Sequence, residues 1–128
     1  MVEKPSKVTE LLQISAEIMQ ICTSLLDSPE TTTEKQRNRI EKIVSHLAQF
    51  SSLITEKTDF LESGSSQIHM MSHELRTPIT EMMTQEYVLM RYLYDPLSEA
   101  QQGYLVPILE KTQKVGDLIV RLIGEHGE

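Results

Sequence analysis

Apolar residues recur along the chain in alternating steps of three and four, and turn-forming clusters break the rhythm three times. The first segment covers residues 6–27 and is followed by "DSPETTTE". The second covers 32–62 and stops at "SGSS", the third covers 66–94 and stops at "YDPLSE", and the fourth runs from 98 to about 124. The second carries Ile40, Ile43, Leu47, Phe50, Ile54 and Leu61. The fourth carries Leu105, Ile108, Thr112, Val115, Ile119 and Leu122 in the same rhythm. In the third, Ile68, Leu75, Met82 and Leu89 lie one heptad apart, with Ile79 and Leu93 beside them. This is the spacing of helices that bury one stripe against other helices. No segment alternates as a strand would. Two turns carry the spacing of a capping box, Thr31 with Glu34 and Ser98 with Gln101.

The pattern therefore predicts an all-α fold, an antiparallel up-down four-helix bundle made of two helical hairpins. Residues 1–64 form the N-terminal hairpin and residues 65–128 the second. The hairpins superpose in sequence. Ile40, Ile43, Phe50 and Ile54 map onto Leu105, Ile108, Val115 and Ile119, each 65 residues on, and the turns "LLDSP" and "YLYDP" match at 67. The first hairpin reads as a degenerate copy of the second.

Composition narrows the core and the partners. The chain has 128 residues, long enough for a core without metals or disulfides. Aromatics are 5% and tryptophan is absent, so Leu, Ile, Val and Met must fill it. A net charge of −7 leaves no basic cluster to neutralise phosphates or an anionic bilayer, which argues against nucleic acid and membrane surfaces. Cys22 is the one cysteine and falls on an apolar stripe, the place of a small buried hydrophobe. "MVEKPSK" is no signal peptide, and no apolar run approaches the ~20 residues of a membrane helix. The expectation is a cytoplasmic chain, or a soluble piece of a receptor.

The candidate chemistry lies in "HMMSHELRTPITEMM", residues 69–83. With Ile68 at heptad position a, His73 is at f, facing away from the core. Thr77 is one turn along on the same face, and Glu74 flanks the histidine at the edge of the bundle. A neutral imidazole is a nucleophile, an adjacent carboxylate can take its proton, and a hydroxyl one turn away can orient water. Pro78 cannot donate to the carbonyl of Glu74 and crowds it, at a cost of about 3 kcal/mol in an ordinary helix interior. Its place one turn after the histidine predicts a loosened turn there. Pro107 is a second interior proline, its crowding eased by Gly103. A zinc reading is weak: "HELRT" has Thr77 where HExxH has its second histidine, and beyond His69 and His73 only His46 and His126 remain. Met83, Tyr87, Met90 and Tyr94 fall at positions b and f, apolar side chains on an outward face, and predict a partner surface.

"SHELRTPI", residues 72–79, resembles the phosphoacceptor box in the dimerisation and histidine-phosphotransfer domain of sensor histidine kinases. The resemblance covers residues 66 to about 124. It implies that His73 is phosphorylated, that Glu74 is its acid/base partner, and that Thr77 places water for dephosphorylation. It also implies that Arg76 helps hold phosphoryl oxygens and that Pro78 is a hinge. The implied partner is a response-regulator receiver domain carrying its own Mg²⁺, with a sensor kinase as a further partner. No cofactor or metal is implied in this chain.

The chain departs from that family in two ways. It ends at "RLIGEHGE" with no ATP-binding domain and no glycine-rich phosphate loop, so it is not expected to act as an ATP-dependent kinase by itself. At the 67-residue step His73, Glu74 and Thr77 map to Ser6, Lys7 and Glu10, so the first hairpin lacks a phosphoacceptor. A first hairpin standing in for the second chain of a kinase dimer predicts a monomer, with a homodimer as the alternative. Three functions fit: a phosphorelay protein exchanging a phosphoryl group between His73 and a receiver aspartate, a sensor-kinase fragment, or an interaction protein that mimics a kinase and binds a regulator.

Overall fold

The computed structural model describes residues 7–27, 33–57, 72–91 and 97–126. All regular structure among them is helical: α1 (Lys7–Leu26), α2 (Glu34–Glu56), α3 (Ser72–Met90) and α4 (Glu99–His126). The four pack as a helical bundle around one core, α1 against α2 and α4, and α3 against α2 and α4.

The stripes read from the sequence are the core. Ile40, Ile43, Leu47, Phe50 and Ile54 of α2 are buried, as are Leu105, Ile108, Thr112, Val115, Ile119 and Leu122 of α4. On α3, Leu75, Ile79, Met82 and Leu89 are buried; Ile68 and Leu93, with Leu61 of the second stripe, lie outside the described residues. Val8, Leu11, Ile14, Ile18, Cys22 and Leu25 complete the core from α1.

Helix starts explain the registration. Ser98 caps α4 as expected: the Gln101 amide donates to Ser98 Oγ (3.1 Å), and the Ser98 amide donates to Gln101 Oε1 (2.8 Å). On α2 the expected box of Thr31 with Glu34 is corrected. The cap is Thr33, with Gln36 reaching back to it, and Thr31 lies outside the described residues. The reason is tertiary. Gln36 is buried, and its Oε1 accepts from Gln101 Nε2 of α4 at 3.4 Å. Only the glutamine meets its counterpart there, whereas Glu34 stays exposed at the first helical position, where the helix dipole favours a carboxylate. The two caps and the two buried glutamines are thus 65 residues apart, the step that relates the two stripes. Across α1 and α3 the 67-residue step pairs buried positions: Val8 with Leu75, Leu11 with Pro78, Ile18 with Gln85 and Cys22 with Leu89.

Cross-helix pairs fix which ends meet. Arg39, near the start of α2, donates to Gln85 Oε1 near the end of α3 (2.8 Å). Lys111 of α4 meets Glu17 of α1 at 2.9 Å. That pair is partly exposed and contributes about 0–1 kcal/mol.

One core position on α3, in register with Ile79 and Leu93, is a carboxylate. Glu86 is fully buried, its Oε1 accepting from Thr112 Oγ1 at 2.7 Å, while its Oε2 has no partner. Burial pushes the Glu86 carboxyl up to about 8 against the Thr112 bond, which pulls the other way. Burial, then the Glu86 charge, pushes the Cys22 thiol up to about 12. Their counterparts are apolar: Met19 for Glu86, Leu47 for Thr112 and Leu89 for Cys22.

Candidate functional site

Leu75, Ile79 and Met82 anchor the start of α3 in the core. The helical period then turns His73, Glu74, Arg76 and Thr77 outward, and all four are exposed. Thr77 Oγ1 donates to the main-chain carbonyl of His73 at 2.7 Å. Its lone pairs remain available to accept from water. Pro78 is buried and sits inside the helix, so the carbonyl of Glu74 receives no amide from it. The histidine's own carbonyl is therefore tied down one residue before the ladder is interrupted.

Two grooves flank this part of α3. The first, of about 550 Å³, runs between α2 and α3. His73, Glu74, Thr77 and Pro78 line one side, and Gln49, Ser52, Leu53 and Glu56 line the other. The second, of about 390 Å³, runs between α3 and α4. It is lined by Arg76, Ile79, Thr80 and Met83 with Gln113, Asp117 and Val120. The expected site residues thus divide. His73, Glu74, Thr77 and Pro78 share one groove, while Arg76 lies along the other.

The expected outward stripe also divides. Tyr87 and Met90 are 43% and 52% exposed. Met83, expected on the outer face, is half-buried against the core, because position b turns it toward α4. Tyr94 lies outside the described residues. Two exposed apolar side chains that the pattern missed, Val106 and Val120, stand on α4. At the 65- and 67-residue steps the counterparts of all four exposed side chains are polar: Gln20 for Tyr87, Thr23 for Met90, Glu41 for Val106 and Thr55 for Val120.

The α2 wall of the His73 groove was also missed. Gln49, Ser52 and Glu56 are ordinary solvent-face residues in the helical pattern, and only the pairing of α2 with α3 brings them to the histidine. Among the described residues, no three His, Cys, Asp or Glu side chains are grouped to hold a metal ion. No described helix is long and apolar enough to cross a membrane.

The chain is 29% identical over 112 residues, 88% of its length, to the circadian input-output histidine kinase CikA of Synechococcus elongatus, and it spans 14% of that protein. The similarity supports a two-component signalling family for this chain. No family model matches the chain, and no solved structure matches it.

Proposed function

We propose that this chain is a cytoplasmic two-component phosphorelay protein that exchanges a phosphoryl group between His73 and the aspartate of a response-regulator receiver domain. The observation that carries this reading is one exposed turn of α3 on which His73, Glu74 and Thr77 line a single groove. In the exchange, a ring nitrogen of neutral His73 donates its lone pair to phosphorus. The bond from phosphorus to the receiver's aspartate oxygen breaks, and that pair stays on the carboxylate. The proton on the other ring nitrogen passes to Glu74. The receiver supplies Mg²⁺ for the charge on the moving group.

The docking face in this proposal is the outer side of the second hairpin. Tyr87 lies fourteen residues along α3 from His73, about 20 Å at helical rise. Tyr87 and Met90, with Met83 in the adjoining groove, give a receiver an apolar footing below the histidine. The polar counterparts of Tyr87 and Met90 on the first hairpin support a footing on one side of the bundle.

The test is incubation with a receiver domain phosphorylated by acetyl phosphate. The chain is expected to gain acid-labile phosphate. Tyr87→Ala combined with Met83→Ser should slow that gain with helical content unchanged, and an unchanged rate would put docking elsewhere. Thr77→Ala removes the hydroxyl proposed to accept from water. It should slow net loss of phosphate from the receiver by roughly tenfold or more and spare transfer to His73. Transfer blocked as strongly as net loss would instead make Thr77 a residue that shapes the site.

The proposed chain is a monomer, the first hairpin taking the place of a partner chain. The Gln36–Gln101 bond supports this, joining within one chain the two positions related by the 65-residue step. Light scattering is expected to give 14.7 kDa; twice that mass would overturn the monomer and leave the chemistry standing. A second reading is favoured by the relative itself. CikA is a histidine kinase and this chain spans 14% of it, so the same His73 would serve in a kinase whose ATP-binding domain is a separate unit.

A further inference from the structure

The bundle holds two grooves at equivalent places, and their charges differ. The groove between α2 and α3 carries Gln49, Ser52, Leu53 and Glu56 on its α2 side. At the 65-residue step these map to Lys114, Asp117, Leu118 and Arg121 on α4. Three of those four, Lys114, Leu118 and Arg121, line the corresponding groove between α1 and α4. The groove without a histidine therefore has two cations on its α4 wall, which balance Glu10 and Glu17 on its α1 wall. The groove with His73 has a neutral amide and a carboxylate in those positions, and no cation among its described lining residues.

The placement of Glu56 runs against helix electrostatics. It is the last residue of α2, whose last turn contains no basic residue. That end carries the negative pole of the helix dipole, where cations are favoured and carboxylates are not. Lys57, the C-cap residue, is not among the groove's lining residues. The carboxylates of Glu56 and Glu74 thus line one groove with His73.

We propose that α2 forms one wall of the phosphoacceptor site and that Glu56 on it holds phosphorylated His73 at high transfer potential, so that the group passes to a receiver instead of resting on this chain. This rests on the phosphotransfer function proposed above. A phosphoryl group brings up to two negative charges into the groove. Repulsion from Glu56 raises the energy of that state relative to free histidine. The repulsion is released when the phosphorus–nitrogen bond breaks, its pair returns to the ring, a receiver aspartate oxygen takes the phosphoryl group and the ring regains its proton. Glu56 touches neither bond; it is a positioning residue acting through charge.

The test reads the equilibrium ratio of phosphohistidine to phosphoaspartate, using the full chain with a receiver domain phosphorylated by acetyl phosphate, at about 20 mM salt. A ratio at equilibrium does not depend on docking or on rates, so a structural role for Glu56 would not move it. Glu56→Gln is expected to shift the ratio toward His73 by roughly two- to tenfold. Glu56→Lys, which restores the sign of its counterpart Arg121, should shift it further, and Glu56→Asp should keep the parental ratio. At 1 M salt, where the screening length falls to about 3 Å, the differences should collapse. An unchanged ratio in both Gln and Lys variants overturns this proposal alone. A wild-type chain that exchanges no phosphoryl group overturns the proposed function with it.

Discussion

Replacing His73 with glutamine is expected to abolish phosphoryl labelling of this chain while leaving its fold intact. The two effects separate because of where His73 sits. Its side chain is exposed, and the hydrogen bond made at this residue uses its main-chain carbonyl, which accepts from Thr77 Oγ1. Glutamine keeps that carbonyl and is at least as good a helix former as histidine. Stability should change by no more than about 0.5 kcal/mol, as for surface substitutions away from special features. The amide has no nitrogen lone pair basic enough to form a phosphorus–nitrogen bond, so labelling from a phosphorylated receiver should fall to background. Circular dichroism and a melting curve check the first half, and an acid-labile phosphate assay checks the second. Label persisting in the variant, on half-buried His46 or on His69 for instance, would refute the assignment of His73.

The other large effect is expected far from that site. Raising the pH from 5 to 8 should destabilise the bundle through Glu86. Its carboxyl is pushed up to about 8 from an ordinary value of 4.5. A folded value above the unfolded one means that the native chain holds the proton more tightly than the unfolded chain. That stabilisation is complete below the unfolded value and is lost progressively as pH climbs to the folded one. The loss amounts to several kcal/mol, roughly 3–5. Above that window the ionised group sits buried with Oε2 lacking any partner. Cys22, held up to about 12, stays protonated throughout and adds nothing to the slope. Denaturant unfolding at several pH values should show Glu86→Gln nearly flat across the interval. Glu86→Met, which copies the counterpart Met19, should be flat as well. Parallel profiles for wild type and both variants would show that Glu86 is solvated in solution and that the core opens around it.

How much of this was legible in the chain differs from helix to helix. The apolar stripes of α2 and α4 follow from period, broken in α4 only by Thr112, whereas the burial of Gln36, Gln101 and Leu118 does not. On α3 the same heptad places Leu75, Met82 and Leu89 inside and His73 outside. The same heptad carries Glu86 at the position of Ile79 and Leu93, and Gln85 three residues after Met82. Their polarity masks the register; partners on other helices, Thr112 and Arg39, meet them in the bundle. A polar residue in register with an apolar stripe carries no local sign of the partner that lets it be covered. The cap of α2 is Thr33 and not Thr31 for a similar reason: two threonines satisfy the local rule, Thr31 with Glu34 and Thr33 with Gln36, and a glutamine 65 residues from Gln36 selects the second.

The candidate site divides along the same line. The chemical set and its face are local, since His73, Glu74, Thr77 and Pro78 are neighbours on one helix and helical geometry orients them. Tertiary structure alone decided what stands opposite. Gln49, Ser52 and Glu56 reach the histidine because α2 packs beside α3, and Arg76 is turned to the far groove because α4 packs on the other side. Helix period is written in spacings of three and four residues, within reach of the local pattern. Which helix becomes whose neighbour depends on how four apolar stripes close one core together, and no single stripe contains that.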